Sequence, residues 1–245
     1  DRGFAPAYVG LADCLVASVF NSLALADEVR PRIESLLEQA AAIDPATPGL
    51  AIVRASVASA FDWDFGAAEP VFRSSLEHGA ADTNGLVFYA RHLVGAGLPE
   101  RSAEVLRSAI NLDPLQAHLW GLRGYALFCA RRFDEALASI RRGVELEPTA
   151  LTLAYEAHVA AHLGRRDEAL DSARRLLAQA GGVPVTAASA AAGLASLGEP
   201  AHARRLLEDA ASDLRWPVPS MLGLVAAVLG DVLAAAGWLE RALAA

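Results

Sequence analysis

Apolar and small residues recur along this chain at the spacing expected of paired amphipathic helices. Apolar positions fall three or four residues apart, which places them on one face of a helix. A longer period lies over this short one, because small residues recur at sequence steps of 34, 34, 33, 34 and 32. The members of this first series are Ser56, Ala90, Gly124, Ala157, Ala191 and Gly223.

Two further series share the phase of the first. A second series of small residues lies twelve positions further on, and a series of mostly bulkier residues lies four positions beyond the second. The pattern predicts repeats of two antiparallel helices in which two small residues face each other and a bulky residue fills the space beside them. The second series is Ala68, Ser102, Ala136, Ala169, Ala203 and Ala235, and the third is Phe72, Leu106, Ile140, Ala173, Leu207 and Leu239.

Acid–proline steps and glycines mark where the predicted helices end. Proline cannot continue a helix and moves the residue before it out of helical geometry, so each acid–proline step predicts a repeat boundary. The glycines predict the turns between the two helices of a repeat. The steps are Asp44-Pro45, Asp113-Pro114 and Glu147-Pro148, and the turn glycines are Gly97, Gly164, Gly198 and Gly230.

These signals predict one repeat array over residues 1–245, with a longer first repeat at 1–45. Its first helix is expected from Ala5 to Phe20 with Gly10 as the small residue, and its second helix from about Pro31 to Ile43. Residues 21–30 are then either an inserted connection or an extension of a helix. The remaining repeats are expected at about 49–82, 83–116, 117–149, 150–183, 184–215 and 216–245.

Composition narrows the classes of partner. Hydrophobic residues make up 54% of the 245 residues, which is enough for a packed core and unlike a disordered chain. The net charge of −8 argues against nucleic-acid binding, which needs a basic surface for phosphates. We also expect no membrane span, because the most apolar stretches are interrupted by Asp231 or consist mostly of Ala, Ser and Gly.

The cysteines and the first residue bear on cellular context. Cys14 and Cys129 stand far apart without a CxxC pair, so neither a disulfide framework nor a zinc site is predicted. Both are interpreted as packing residues on helices, and a reduced, cytoplasmic setting is the simplest expectation. No signal peptide is evident. A start at Asp1 rather than Met suggests a segment of a longer protein.

Residues 117–148 are the clearest copy of the repeat. Trp120, Gly124 and Leu127 lie on the first helix, and the segment 131–136 (RRFDEA) makes the turn into the second. This segment resembles the tetratricopeptide signature, whose period is about 34 residues. The resemblance implies an all-α fold, a right-handed α-solenoid superhelix of antiparallel helix pairs.

Two local segments narrow the resemblance. They are residues 4–13 (FAPAYVGLAD) and residues 61–65 (FDWDF). Together they resemble the tetratricopeptide region of large bacterial signalling proteins, where the array adjoins a winged-helix DNA-binding domain, a nucleotide cyclase or a Ser/Thr kinase domain. The resemblance implies a protein–protein interaction scaffold acting as the regulatory or sensory region of a bacterial signalling or transcription-regulating protein. Chaperone-tail binding is not expected, because the chain has no Lys to hold a terminal carboxylate.

The candidate binding residues lie where the repeat phase places the inner, concave face of the first helices. Arg and Tyr are enriched at interface hot spots, so we expect this face to bind an extended peptide or a helix of a protein partner. The alternative is that the aromatic residues pack between neighbouring helices. The candidates are Arg54, Asn84, Phe88, Arg91, His118, Tyr125, Phe128, Tyr155, His158 and His162.

Catalysis, cofactors and metals are not expected. His158 and His162 share a helical face, but no third ligand accompanies them, and a working zinc site needs three or four. Asp62, Asp64 and Glu69 surround Trp63, where helix-start roles explain the carboxylates better than acid–base catalysis. Two other functions stay open: a stand-alone scaffold that self-associates through its terminal helices, and a sensor that holds a short peptide or small molecule in its groove.

Overall fold

The computed structural model describes residues 3–20, 23–77, 82–180, 191–195, 197–198, 203, 223, 226–227, 230 and 232–244, and within these ranges the regular secondary structure is helical. Among the described helices, none is both long and apolar enough to cross a bilayer. The helices are α1 (Ala5–Phe20), α2 (Ala26–Ile43), α3 (Leu50–Ala60), α4 (Phe65–Glu77), α5 (Thr83–Gly95), α6 (Pro99–Leu112), α7 (Ala117–Cys129), α8 (Phe133–Leu146), α9 (Ala150–His162), α10 (Arg166–Ala180) and α11 (Val232–Ala244).

The chain divides into two compact units, Asp1–Pro114 and Leu115–Ala245. In the first unit α1 packs on α2, α3 on α4 and α5 on α6, and in the second α7 packs on α8 and α9 on α10. Within each unit, the first helix of a later pair packs against both helices of the pair before it, as α3 does on α1 and α2, and α9 on α7 and α8. The single array over 1–245 stays a prediction.

The three residue series form the packed seams inside the helix pairs. Ser56, Ala90, Gly124, Ala157, Ala191 and Gly223 are all buried, and so are the six residues of the second series. At one seam the Ser102 hydroxyl donates to the Ala90 carbonyl at 2.8 Å, so the buried hydroxyl has a hydrogen-bond partner on the facing helix. In the third series Leu239 is half exposed, and Leu207 lies outside the described residues.

A left-handed backbone turn follows the first helix of the pairs. It falls seven residues after each member of the first series, and four of these positions are glycines with φ between 72° and 79°. The other two are Trp63, with φ 56°, and Arg131, with φ 62°. Side chains other than glycine are disfavoured in this region, so these two turns are locally strained. The four glycines are those predicted at turns.

The acid–proline steps end helices as predicted. Asp44, Asp113 and Glu147 each follow the last residue of a helix, and their φ angles lie between −140° and −156°. Each of them still donates its backbone N–H to a carbonyl four residues earlier, which closes the last helical turn. The proline therefore stops the helix one residue after its last turn is complete.

The first helix pair differs from prediction in two places. The second helix begins at Ala26 rather than near Pro31, so residues 26–30 extend the helix, with Pro31 inside it. Pro31 has no backbone N–H, so α2 forms one helical hydrogen bond fewer at this position. The assignment of Gly10 as the small facing residue is wrong: it is exposed, and a Cβ there would meet no atom within 4 Å. Ala12, fully buried, lies in the core instead.

Candidate functional site

Nine of the ten predicted binding residues lie on the first helices of three pairs, and Arg54 lies on the first helix of a fourth. In the first unit Arg54 is on α3 and three others are on α5. In the second unit α7 and α9 carry three each.

Tyr125 and Tyr155 stack in the second unit. Their ring centroids are 5.1 Å apart and the ring planes meet at 16°. Tyr125 comes from α7 and Tyr155 from α9, so the stack bridges the first helices of two successive pairs. Tyr125 remains 38% exposed and Tyr155 is half-buried, which leaves ring surface and a phenol group at the solvent boundary. Such rings provide wide apolar contact area at low entropy cost.

A second aromatic group lies one turn further along the same helices. The Phe128 ring meets His158 edge-on at 5.0 Å and His162 at 5.5 Å. The His162 ring also lies 4.2 Å from Phe133, the first residue of α8. The guanidinium of Arg131 sits 5.7 Å from the Phe133 ring. We call Tyr125, Tyr155, Phe128, His158, His162 and Phe133 together the aromatic strip.

Phe133 was not among the predicted binding residues. It lies in the segment that the repeat pattern assigns to the turn, and a turn residue is expected to face solvent. In the structure it is half-buried beside His162. The signal available in the sequence is the apolar residue directly after the paired arginines Arg131 and Arg132, where a solvent-facing turn would carry a polar one.

Negative charge is directed away from the aromatic strip. Glu156 is the only acidic residue in the sequences of α7 and α9. It is buried, accepts from the Ser172 hydroxyl at 2.8 Å, and lies 3.6 Å from Nε of Arg141. Since Ser172 belongs to α10 and Arg141 to α8, the carboxylate faces the second helices. The aromatic strip therefore contains no carboxylate, and its side chains are phenyl rings, phenols and imidazoles.

Burial shapes the protonation of the strip. Removal from water lowers the pKa of His158 below its ordinary 6.5, and the neighbouring imidazole of His162 lowers it further. His158 is thus a neutral imidazole at pH 7 and offers one donor and one acceptor. On the same helix turn, Tyr125 hydrogen-bonds the thiol of Cys129, whose pKa is raised, chiefly by burial. Cys14, by contrast, is exposed, so its assignment as a packing residue is wrong.

The remaining candidate in the second unit is His118. It lies in the first turn of α7, half-buried and two turns before Tyr125 on the same helical face. In the described part of the chain, no three His, Cys, Asp or Glu side chains are grouped as a metal site would require.

In the first unit, α5 faces α1 through side chains. The amide of Asn84 donates to the Asp13 carboxylate at 3.4 Å, and the rings of Phe88 and Phe20 lie 6.2 Å apart. The guanidinium of Arg91 lies over the Phe20 ring at 4.6 Å. Burial, followed by the charge of Asp82, raises the pKa of Asp13.

These contacts occupy much of the predicted first-unit surface. Phe88 is only 7% exposed, so its ring is mainly a packing group between α5 and α1. Arg54 is exposed, and its Nη2 atom lies 3.5 Å from the carbonyl of Leu37 in α2. Asn84 and Arg91 remain at the surface, where Asn84 is exposed and Arg91 half-buried.

A partly buried polar cluster in the first unit was not predicted. Glu69 accepts from the Tyr89 hydroxyl at 3.1 Å and from Arg101 at 3.2 Å, while its second oxygen lies 3.1 Å from Nε2 of His92. The other ring nitrogen of His92 lies 2.9 Å from the Ser59 hydroxyl. These five side chains come from α3, α4, α5 and α6. We call them the Glu69 cluster.

The Glu69 cluster places serine, histidine and glutamate in a chain of hydrogen bonds, but its surroundings favour a structural role. Ser59 is 7% exposed and lies inside α3, whose backbone N–H groups already serve the helix. An acyl-transfer site needs a nucleophile open to substrate and free N–H donors beside it. The cluster instead joins two helix pairs through partly buried polar groups that are hydrogen-bonded to one another.

The acidic group around Trp63 is separated into individual contacts. Asp62 pairs with Arg30 of α2. Asp64 accepts from the backbone N–H of Ala67 at 2.9 Å and so caps the start of α4. Glu69 belongs to the cluster described above. The helix-start interpretation therefore holds for Asp64, whereas Asp62 links the turn after α3 to α2 and Glu69 links neighbouring helices.

Comparison with known proteins identifies the fold. Neither a family model nor a curated protein sequence matches this chain. A tetratricopeptide repeat protein from Parabacteroides merdae matches it with a TM-score of 0.64 and 14% identity, over 95% of this chain and 92% of that one. A thermophilic TPR protein of Thermus thermophilus matches with a TM-score of 0.60 and 20% identity, over 73% of this chain and 97% of that one. PilF of Pseudomonas aeruginosa matches with a TM-score of 0.54 and 18% identity, over 77% of this chain and 87% of that one. The predicted fold class is confirmed: this chain has the all-α tetratricopeptide solenoid fold.

Proposed function

We propose that this chain is a protein-interaction module that binds a peptide segment of its partner on the inner faces of its first helices. The aromatic strip of the second unit is the main contact. Asn84 and Arg91, beside Phe88 and Phe20, make a secondary contact in the first unit. The predicted roles of Arg54 and His118 belong to the same proposal, as flanking polar contacts.

One observation carries the proposal: α7 and α9 align their aromatic residues in two adjoining groups with exposed ring surface. Tyr125 keeps 38% of its surface exposed although it stacks on Tyr155. Partly exposed tyrosines beside buried aromatic residues are typical of binding hot spots. The phenols and imidazoles supply hydrogen bonds to a peptide backbone, and the rings supply apolar contact for its side chains.

Peptide selection from a random display library tests this proposal. Ligands selected on the wild-type chain should lose affinity by about tenfold or more when Tyr125→Ala and Tyr155→Ala are combined. Leu112→Ala is the matched control, because Leu112 is an exposed apolar residue at the end of α6, in the other unit. Arg91→Ala in the same assay tests the first-unit contact. Unchanged affinity in the tyrosine double variant would refute the aromatic strip as the binding surface.

We further propose that this module is the regulatory or sensory region of a larger bacterial signalling or transcription-regulating protein, working in the cytoplasm. The support is the sequence resemblance of residues 4–13 and 61–65. Sequencing the gene across both ends of this segment tests it. An adjoining winged-helix, cyclase or kinase region is the expected result, and an open reading frame limited to this segment would contradict it.

A further inference from the structure

The last described helix, α11, exposes an apolar face. Val232 is 75% exposed, Leu233 is 88% exposed and Leu239 is 50% exposed. At helical spacing these residues and the exposed Ala236 lie within one arc of about 120°. Glu240 is exposed within the same arc. A surface helix normally carries polar residues on such a face, so this face is suited to contact with a further apolar surface.

A cleft in the first unit has the complementary character. It lies between α1 and α2, holds about 360 Å³, and is lined by apolar surface of Tyr8, Leu11 and Leu36 and by the polar side chains of Arg32, Ser35 and Gln39. Leu11 is 41% exposed and Arg32 is exposed at the rim. The cleft and the exposed face of α11 are thus both apolar surfaces with one charged residue, Arg32 in the cleft and Glu240 on α11, and these charges are of opposite sign.

Neither charge is used within the described residues. The ion pairs formed by the described residues include neither Arg32 nor Glu240, and neither side chain has a hydrogen bond or ring contact there. Other arginines of the described helices do form ion pairs, as Arg132 does with Glu135 and Arg142 with Glu145. Among the described residues, Arg32 and Glu240 are therefore available for an ion pair between two molecules.

We propose that a second copy of this chain seats its α11 in the cleft between α1 and α2, with Glu240 paired to Arg32. Within each unit, a helix also packs against both helices of a neighbouring pair, as α3 does on α1 and α2. Because the two surfaces differ, the contact is head-to-tail, and each molecule keeps one free surface of each kind. Such a contact builds rings or open chains rather than a closed two-fold dimer.

Complementary variants test the head-to-tail geometry in the 245-residue chain. Wild-type protein should increase in mass with concentration in sedimentation velocity. Leu11→Asp blocks the cleft and Leu233→Asp blocks α11, so each variant alone should stay monomeric. An equimolar mixture of the two should give a dimer and nothing larger, since one intact cleft and one intact α11 remain. Leu112→Asp, an exposed apolar residue on α6, is the control and should associate like wild type.

Charge reversal tests the pairing itself. Arg32→Glu and Glu240→Arg should each weaken association by about fivefold, and the double variant should recover most of the loss. Helical circular dichroism on every variant confirms folding. A wild-type chain that stays monomeric from micromolar to millimolar concentration overturns the proposal. So does a Leu11→Asp variant that still associates, because α11 would then be contacting something other than the cleft.

Discussion

Gly124 and Ile140 approach so closely that no side chain fits between α7 and α8. A Cβ placed on Gly124 would lie 2.3 Å from Cγ1 of Ile140 and 2.9 Å from the carbonyl oxygen of Ala136. Real Cβ atoms do not approach backbone so closely, and the carbonyl cannot move without shifting α8. Gly124→Ala should therefore lower the free energy of unfolding by about 1–3 kcal/mol, measured by urea denaturation.

Gly10→Ala is the matched control for that prediction. Gly10 is also a helical glycine, but nothing lies within 4 Å of the Cβ it would gain. Only the better helix propensity of alanine remains, which should raise the free energy of unfolding by about 0.8–1.0 kcal/mol. A loss of stability in Gly10→Ala, or a gain in Gly124→Ala, would contradict the assignment of these two positions.

Gly164→Ala isolates the effect of backbone conformation. Gly164 has φ 72°, and a Cβ there would also meet nothing within 4 Å. Steric contact is thus as absent as at Gly10, and only the left-handed backbone differs. We expect Gly164→Ala to lower the free energy of unfolding by about 1–2 kcal/mol in the same urea assay. Equal stability of Gly164→Ala and Gly10→Ala would show that the turn relaxes to another conformation.

The helix pairs were predictable because their determinants are local. A small residue at the seam, such as Gly124, has few acceptable replacements, and its recurrence marks the period. An acid–proline step such as Asp113-Pro114 ends a helix through the backbone geometry of two adjacent residues. The errors in the first pair also have local causes: proline usually marks a helix start, but Pro31 lies inside α2, and Gly10 has the residue type but not the position of a seam residue.

The contacts between helix pairs were predictable only where they follow the repeat phase. Five of the six residues of the aromatic strip were predicted, because α7 and α9 lie one repeat apart and share a phase. The Glu69 cluster joins residues 20 to 33 positions apart on α3, α4, α5 and α6, and no single helix shows a pattern that requires it. The contact of Phe20 with Phe88 spans two repeats. It depends on the angle between successive helix pairs, which residue spacing does not predict.

The Glu69 cluster makes stability depend on acidic pH. Burial alone would raise the pKa of Glu69, but hydrogen bonds from Tyr89 and Arg101 bring it below its ordinary 4.5. Burial lowers the pKa of His92 below 6.5 and outweighs the attraction of Glu69. In both cases the unfolded chain binds more protons, so stability rises with pH. The His92 contribution is lost as pH falls from 6.5, and the Glu69 contribution as pH falls from 4.5.

Urea denaturation across pH separates the two groups. Glu69→Gln should cost about 1–3 kcal/mol at neutral pH and flatten the dependence below pH 4.5. His92→Gln should flatten it between its lowered pKa and 6.5. Ser59→Ala is the control, because it removes a neutral partner of His92 and should lower stability while keeping the acid dependence. A pH profile unchanged in Glu69→Gln would show that the cluster does not couple protonation to folding.

His158 reports directly on the packing of the aromatic strip. Burial against Phe128 lowers its pKa below 6.5, and the nearby His162 lowers it further. Phe128→Ala should admit water and raise the pKa of His158 toward 6.5, while His162→Asn should raise it by a smaller amount because only the lesser cause is removed. Titration of the imidazole resonances by two-dimensional NMR measures both. A peptide bound over Tyr125 and Phe128 would bury His158 more deeply and lower its pKa again, so the same titration on selected ligands locates them on the strip. An unchanged His158 pKa with a ligand that requires Tyr125 would place that ligand on the Tyr125–Tyr155 stack alone.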